Sequence, residues 1–306
     1  MGSNDSYITV VGAVNIDICG TSNEQLMLYD SNPGKSYISY GGVGRNIAEN
    51  LCRLGEKVEL ITVLGDDPYV EELTSFSEGI GISFKHSMRL SGAHTSTYIS
   101  INNSDGDMSL AVSDMTIYDE MPVDFIAEKM DVLNNSKLVI IDTNMSQQVI
   151  EYIAKNCKVP IMADPVSTKK SVKLLNVLDR LYMIKPNIFE AELLAGMKID
   201  SNDDIKDAAK FFVDRGIKIA FISEGSDGAY YNDGEHSGLC PCAKGRIVNT
   251  NGCGDAFVAA VAWVFIHGGG VEEMAKAGVA ASAICAESES TISDDLNIEN
   301  LRKRMA

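Results

Sequence analysis

The feature of this sequence that most constrains its fold is a regular alternation of short apolar runs with segments of helical periodicity. In residues 42–54, apolar side chains recur at intervals of three and four, and Gly55 ends the pattern. Alternating strands and helices form a mostly parallel sheet with helices on both faces. The sequence therefore predicts an α/β protein of the three-layer αβα, Rossmann-like type. The predicted strands are residues 7–12, 58–64, 138–141, 160–163, 181–184 and 217–222, and the predicted helices are 42–54, 68–76, 147–156, 188–195, 203–215, 255–267 and 271–287.

Two stretches, residues 18–39 and 95–112, interrupt this alternation because neither has a helical period. In the second stretch, strand-like runs flank residues 103–106 (NSDG), which is typical of a β-hairpin. Such segments predict a lid or a clasp between subunits, and an ordinary edge hairpin is the alternative. We therefore expect a single domain, residues 1–306, with the two segments inserted as a small β lid.

Charge and composition exclude several classes of partner. The chain has 26 Lys and Arg against 43 Asp and Glu, a formal charge of −17. Nucleic acids and anionic membranes are bound by basic surfaces, so we expect neither as a partner. No run approaches the ~20 apolar residues of a membrane span. The first six residues lack the basic and apolar regions of a signal peptide, and the seven cysteines show no complete metal-site spacing. These features predict a cytoplasmic protein with free thiols.

Residues 252–255 (GCGD) form a glycine-rich turn in front of an apolar helix. Gly252, Cys253 and Gly254 let the backbone direct several N–H groups to one point, where the helix dipole also favours an anion. Asp255 then lies in the first helical turn, placed to accept a proton from a hydroxyl that attacks a phosphoryl group. Phosphoryl transfer needs little more than positioning, charge neutralisation and a base. A capping Asp after a flexible turn is the alternative.

A second glycine-rich segment, residues 41–48 (GGVGRNIA), also opens a helix. Gly42 permits close approach of a ligand, and Asn46 offers both a donor and an acceptor to a hydroxyl. Upstream, Asn15 and Asp17 follow the first predicted strand. Their alternate positions point both side chains the same way, which suits a vicinal diol. An ordinary turn after a strand is the alternative for this pair.

Two further motifs follow predicted strands in the second half of the chain. Asn187 and Glu190 lie three residues apart at a helix start, where they can order the water ligands of Mg²⁺ near phosphates. A helix capping box is the structural alternative, and both interpretations can hold together. Ser223, Gly225 and Gly228 make a tight turn that admits a flat or phosphorylated ligand.

In this order, the motifs resemble the PfkB, or ribokinase-like, family of carbohydrate and nucleoside kinases over nearly the whole chain. The resemblance implies a ribokinase-like fold, ATP and Mg²⁺ as cofactors, and a lid that also pairs two subunits into a homodimer. It implies that Asp255 is the catalytic base beside an anion hole. The other implied roles are Gly252, Cys253 and Gly254 for the anion hole, Asn15, Asp17, Gly42 and Asn46 for sugar hydroxyls, Asn187, Ser223, Gly225 and Gly228 for ATP, and Glu190 for Mg²⁺ through water.

The catalytic turn departs from the family at two positions. The family's usual Asp-Thr-x-Gly-Ala-Gly-Asp is here residues 249–255, NTNGCGD. Asn249 replaces the leading Asp, so the resemblance leaves a monovalent-cation (K⁺) site on this loop open. Cys253 replaces Ala and adds a thiol beside the site, although its backbone amide still serves the anion hole.

Within the family, the local sequence is similar to the pseudouridine kinases, which implies transfer from ATP to the 5′-hydroxyl of a ribonucleoside, pseudouridine. The segments that carry this similarity are residues 30–35, 41–50, 113–115 and 164–167.

A uracil ring needs hydrogen-bond partners along its edge. Asn144, Asp114, Ser113 and Thr97 are candidates, and the sequence does not choose among them. Two other functions stay open: a kinase for a free sugar such as ribose or fructose, and a sensor that binds ligand without catalysis. The intact Asp255 argues against the sensor.

Overall fold

The computed structural model describes residues 6–242 and 245–306, which contain three β-sheets. The strands are β1 (Ile8–Val11), β2 (Asn15–Ser22), β3 (Gly34–Gly41), β4 (Val58–Ile61), β5 (Val63–Leu64), β6 (Ile82–Ser83), β7 (Met88–Arg89), β8 (Thr97–Asn102), β9 (Met108–Asp114), β10 (Val139–Asp142), β11 (Ile161–Asp164), β12 (Met183–Ile184), β13 (Ile219–Ser223), β14 (Ala229–Asn232) and β15 (Ser237–Cys240). The helices are α1 (Val43–Arg53), α2 (Tyr69–Gly79), α3 (Val123–Glu128), α4 (Met130–Asn134), α5 (Gln147–Asn156), α6 (Thr168–Ser171), α7 (Ile188–Ala195), α8 (Asn202–Asp214), α9 (Cys253–Ile266), α10 (Val271–Ala286) and α11 (Ile298–Met305).

Nine strands form the central sheet, in the order β15-β14-β13-β12-β11-β10-β1-β4-β6. All neighbouring pairs from β6 to β13 are parallel, and the two pairs at the β15 edge are antiparallel. Strands β1, β10 and β11 are buried along their whole length, as expected when both faces are covered. Apolar side chains of α1, α2, α9, α10 and α11 pack on one face, and those of α3, α4, α5, α7 and α8 pack on the other. The predicted three-layer αβα architecture is confirmed.

The predicted strand 58–64 is divided at Thr62. Strand β4 continues in the central sheet, whereas β5 leaves it and pairs with β7. Thr62 is buried; its N–H donates to Ser87 Oγ (3.2 Å) and its carbonyl accepts from the N–H of Met88 (2.8 Å). The prediction of one strand was wrong because both halves are equally apolar, and the break is set by this distant segment.

Several elements were not predicted: β6, β7, β14, β15, α3, α4, α6 and α11. The hairpin β14-β15 turns at Asp233 and Gly234, a dipeptide that favours hairpins, so its signal was present in the sequence. Gly234 has a φ of +90°, and the N–H of Asp233 donates to the carbonyl of His236 at 3.1 Å. Within the described residues, the structure contains no helix long and apolar enough to cross a membrane.

A separate four-stranded sheet, β3-β2-β8-β9, is called the lid sheet below. The hairpin predicted around residues 103–106 is present as β8 and β9. The first β segment extends further than predicted, from Asn15 to Gly41, so Asn15 and Asp17 belong to strand β2 and not to a turn. Cross-strand partners share a face of a sheet, which leaves one face polar around Asp17 and the other apolar around Ile18.

Candidate active site

The candidate site lies at the carboxyl ends of the parallel strands, where ligands bind in open α/β sheets. Asp142 and Asp164 are the last residues of β10 and β11 and lie opposite each other in the sheet. Lys185 follows β12 directly, and its ammonium Nζ lies 3.8 Å from Asp164 Oδ2. All three side chains are buried. A buried ammonium group therefore lies near buried carboxylates at the edge of the sheet where α9 begins.

The glycine-rich turn at the start of α9 has the backbone that its sequence predicted. Gly252 is the N-terminal cap with a φ of +80°, and a Cβ there would lie 2.0 Å from the carbonyl oxygen of Thr291. A Cβ on Gly254 would lie 3.4 Å from the Lys185 ammonium. The turn is thus held in a left-handed conformation that favours glycine, with a positive charge against it. Such a turn at a helix N-terminus suits an anion.

Asp255 is buried in the first turn of α9 and accepts a hydrogen bond from Asn46 Nδ2 at 2.8 Å. Burial raises the pKa of this carboxyl well above its usual range, and the nearby Asp164 raises it further; the Asn46 hydrogen bond and Lys185 oppose both effects. The capping alternative is wrong, because the cap is Gly252 and no side chain bonds the cap position. A carboxylate with raised proton affinity is suited to act as a base.

The second glycine-rich segment brings α1 against the end of β1. Gly42 has a φ of +98°, and a Cβ there would lie 2.5 Å from the carbonyl oxygen of Ala13. A Cβ on Gly44 would lie 2.7 Å from the backbone of Gly12. This close approach sets Asn46, one turn into α1, beside Asp255. Two predicted motifs separated by 209 residues therefore meet through one hydrogen bond.

Asn15 and Asp17 lie on the same face of β2, as their alternate spacing predicted. Asn15 Oδ1 accepts a hydrogen bond from Ser96 Oγ at 2.9 Å. Burial raises the pKa of Asp17 to about 6, an effect that the Arg45 guanidinium opposes. Arg45 is itself buried, with its Nη2 2.6 Å from Glu49 Oε2. The turn proposed as the alternative for this pair is wrong.

The predicted nucleotide-binding residues gather beside the same turn. A cavity of about 130 Å³ is lined by Ser223, Gly225 and Gly228 together with Cys253 and Gly254. Lys185, Cys242, Phe257, Val279 and Ser282 complete its lining. The cavity therefore joins the turn after β13 to the helix N-terminus where an anion is expected.

Asn187 and Glu190 form the capping box that was the structural alternative for them. Asn187 Oδ1 accepts from the Glu190 N–H, and Glu190 Oε2 accepts from the Asn187 N–H, both at 2.9 Å. Burial raises the pKa of the Glu190 carboxyl. Within residues 6–242 and 245–306, no cluster of three or more His, Cys, Asp or Glu side chains is arranged to hold a metal.

This geometry can be set beside known proteins. The pfkB family of carbohydrate kinases matches residues 5–298. The chain belongs to this family. As a member it is a phosphotransferase that acts on a hydroxyl group.

Relatives of this kinase differ in the acceptor they use. The pseudouridine kinase of Escherichia coli is 34% identical, over 96% of this chain and 95% of that protein. The ribokinase of Haemophilus influenzae is 27% identical, over 90% and 91%. The structure of Arabidopsis thaliana ribokinase complexed with ribose and ATP has a TM-score of 0.86 at 20% identity, covering 98% of each chain. The ribokinase-like fold is thereby confirmed.

Three polar residues near the site of this kinase were not assigned from the sequence. Lys185 lies against the glycine-rich turn at the start of α9, and Arg45 lies beside Asp17. Lys170, on α6, donates to Asn144 Oδ1. Lys185 lies two residues before Asn187 in the sequence, so its position could have been noticed. Lys170 and Arg45 approach the site only through the packing of α6 and α1.

The two departures from the family motif have different surroundings. Asn249 Nδ2 donates to the carbonyl of Glu289 (3.2 Å), and its Oδ1 accepts from the Asn251 N–H (2.9 Å). Asn249 therefore ties the loop together without supplying a charge. The carbonyl of Cys253 accepts from Ser282 Oγ at 2.8 Å, and Cys253 is part of the lining of the 130 Å³ cavity.

Proposed function

We propose that this kinase transfers the γ-phosphoryl group of ATP to the 5′-hydroxyl of pseudouridine, giving pseudouridine 5′-phosphate. The observation that carries the proposal is the hydrogen bond from Asn46 to Asp255 beside the glycine turn. This bond connects Asn46, in a motif suited to binding a hydroxyl, with Asp255, the proposed base. Asp255 lies at a helix end that is suited to binding an anion. The choice of pseudouridine rests on the E. coli relative of that activity.

In this mechanism, Asp255 takes the proton of the 5′-hydroxyl as that oxygen attacks the γ-phosphorus and the bond to the ADP oxygen breaks. The N–H groups of residues 252–254 and the Lys185 ammonium neutralise the charge that develops on the phosphoryl oxygens. Asn46 fixes the orientation of the Asp255 carboxylate. The lowered local polarity that raises the Asp255 pKa also makes it a stronger base than an exposed Asp.

The acceptor is held by groups on both sides of Asp255. Asn15, Asp17, Gly42 and Asn46 bind the ribose hydroxyls, with the Asp17 carboxylate accepting from a vicinal diol. Asn144 follows β10, and its bond to Lys170 orients its side-chain amide for the edge of the base. A cleft of about 820 Å³, lined by Tyr37, Ser39 and Asn251, separates the lid edge from the catalytic loop and supports a lid that closes over the acceptor.

ATP enters from the other side of the turn, along Ser223, Gly225 and Gly228, with Asn187 near its phosphates. Glu190 would hold Mg²⁺ through water, and the ion would supply charge neutralisation to the phosphates. A K⁺ site on the 249–255 loop stays a prediction; replacing K⁺ by Na⁺ or choline in the assay tests it.

We also propose that two copies of the chain pair through the apolar face of the lid sheet. On this face, Ile18 of β2 lies between Ile38 and Ile99, Ile99 lies opposite Val112, and Ile101 lies opposite Leu110. The exposed fractions of Ile38, Ile99, Leu110 and Val112 are 47%, 41%, 63% and 59%. Contiguous exposed apolar surface marks an interface, and the same face of a second copy is complementary to it.

A kinase for a free sugar is the second candidate, supported by an E. coli relative described as an uncharacterised sugar kinase, 31% identical over 97% of this chain and 83% of that protein. An ADP-release assay across pseudouridine, uridine, cytidine, adenosine, ribose and fructose separates the candidates. Pseudouridine should give the highest kcat/KM. A higher value for ribose or fructose would establish the sugar kinase, and no turnover with any acceptor would favour a non-catalytic sensor.

A further inference from the structure

Two thiols meet beneath the catalytic turn. The Cys285 sulfur, on α10, lies 3.2 Å from the carbonyl oxygen of Thr291 and 3.5 Å from that of Asn251. The Cys253 sulfur lies 3.9 Å from the carbonyl oxygen of Asn249, in the same turn. Two cysteines separated in sequence therefore place their sulfurs against backbone carbonyls of the same short turn, residues 249–251, at the phosphoryl-binding end of the molecule.

The two thiols differ in access. Cys253 is part of the lining of the nucleotide-side cavity, whereas Cys285 is 1% exposed and lies behind it. A small solute that enters the cavity meets Cys253 first. Cys253 is also the first residue of α9, where the helix dipole favours a thiolate.

The two thiols also differ in the direction of their pKa shifts. The Cys285 hydrogen bond lowers the pKa of Cys253, and burial only partly opposes it. The same hydrogen bond, together with burial, raises the pKa of Cys285. An accessible thiol of lowered pKa near a second thiol of raised pKa is the arrangement found in thiols that sense oxidants.

We propose that Cys253 and Cys285 form a reversible disulfide in the presence of hydroperoxide and that this bond switches off phosphoryl transfer. The Cys253 thiolate attacks one peroxide oxygen, the O–O bond breaks, and hydroxide leaves, which gives a sulfenic acid. The Cys285 sulfur then attacks the sulfenic sulfur, its proton leaves with the departing hydroxide as water, and the S–S bond forms. One hydroperoxide molecule is reduced as two thiols are oxidised.

The bond stops transfer because it draws the two sulfurs closer than unbonded sulfurs approach, which displaces the Cys253 backbone. Gly252 cannot follow this movement, since it already lies against Thr291. The N–H groups that face the phosphoryl oxygens then lose their alignment. A bound nucleotide should slow the reaction, because it fills the cavity through which peroxide reaches Cys253.

The remaining thiols are poorer candidates. Burial raises the pKa of Cys52 to about 12 and raises those of Cys157, Cys240 and Cys242. Cys19, on the lid sheet, has a lowered pKa even though its burial acts in the opposite direction, because four hydroxyl and amide side chains hydrogen-bond its sulfur. Those partners cannot form a disulfide, so Cys19 would stop at the sulfenic acid.

The test uses the full chain treated with hydrogen peroxide at a few equivalents, then alkylated and digested for peptide mass spectrometry. We expect a Cys253–Cys285 cross-link, loss of binding of a fluorescent ATP analogue, and recovery of both with dithiothreitol. Prior addition of Mg·ATP should slow the cross-link several-fold. These readouts need no acceptor, so they stand or fall independently of pseudouridine as the substrate.

Cys285→Ser is the informative variant, because it removes the second thiol without touching the cavity. Under peroxide it should form no cross-link and should instead accumulate a Cys253 sulfenic acid that reacts with dimedone. Cys157→Ser, at the end of α5, is the matched control and should behave as wild type. Full alkylation of Cys253 after peroxide treatment of the wild type, or a cross-link elsewhere with Cys253 left reduced, would overturn the proposal, even if the variant fails to fold.

Discussion

The proposed catalytic end of the molecule, where α9 begins after Gly252, and the lid sheet differ in how tightly they are packed. At the catalytic end, Asp255 is buried, and a Cβ added to Gly252 or Gly42 would lie within 2.5 Å of a backbone oxygen. In the lid sheet, Leu110 and Val112 are mostly exposed, and nothing lies within 4 Å of a Cβ added to Gly106. The residues proposed for phosphoryl transfer are thus held at tightly packed positions, whereas the surface proposed for pairing of two copies lies on exposed strands.

The largest effect that this comparison predicts is that of Asp255→Asn. Loss of a general base lowers kcat by about 10²–10⁴. Stability should not fall with it, because burial disfavours the ionised Asp255 and a neutral amide avoids that penalty. The measurements are ADP release at saturating substrates and urea unfolding at pH 7. Near-wild-type turnover by a folded variant would contradict the assignment of the base.

Gly252→Ala should damage the fold as well as the activity. A side chain at a φ of +80° carries strain of about 1–3 kcal/mol, and here its Cβ would also overlap the carbonyl of Thr291. The free energy of unfolding in urea measures the effect. Gly79→Ala at the end of α2 is the matched control, because nothing lies within 4 Å of its Cβ, and it should leave stability unchanged or raised. Equal stabilities of the two variants would show that the turn is not rigid.

Asp17, where the lid sheet meets the catalytic end, should control the affinity for the acceptor. A hydrogen bond to a charged group contributes about 1.5–3 kcal/mol, so Asp17→Asn should lower kcat/KM for the acceptor about 10- to 100-fold, mainly through KM. The pKa of Asp17 is about 6, raised by burial. As pH falls through 6, the carboxylate is protonated and the wild-type KM should rise.

The pH profile of Asp17→Asn separates this effect from protonation of Asp255. The rise in KM near pH 6 should vanish in the variant, while the loss of kcat at low pH remains. Asp105→Asn, on the exposed hairpin turn, is the control and should keep the wild-type profile. An unchanged KM profile in Asp17→Asn would remove Asp17 from the acceptor site.

The smallest effect on chemistry is expected on the apolar face of the lid sheet. Leu110→Lys should convert the proposed dimer to a monomer, as measured by light scattering, with kcat changed only a few-fold, because the charge disfavours burial of that face. Leu175→Lys is the control, since Leu175 is an apolar residue, 45% exposed, outside the lid sheet. A monomeric wild type would refute pairing through this face.

The sequence by itself determined the features that are local along the chain. The alternation of apolar runs specified the layers, and the glycines of residues 252–254 specified a turn before α9, because helix starts and strands are encoded within a few neighbouring residues. The order of the motifs was sufficient to indicate the family. The hairpin β14-β15 was also within reach, through its Asp-Gly turn.

Only the tertiary structure decided which of these local features meet. The Asn46–Asp255 hydrogen bond joins residues 209 apart, and it exists because α1 and α9 pack side by side on one face of the sheet. The packing of α9 against α10 brings Cys253 and Cys285 to the same turn. Lys185 becomes the cation of the catalytic turn only because β12 ends beneath it. Side-chain contacts between distant segments depend on the angles at which helices cross and on where each strand ends in the sheet. No local sequence pattern encodes either.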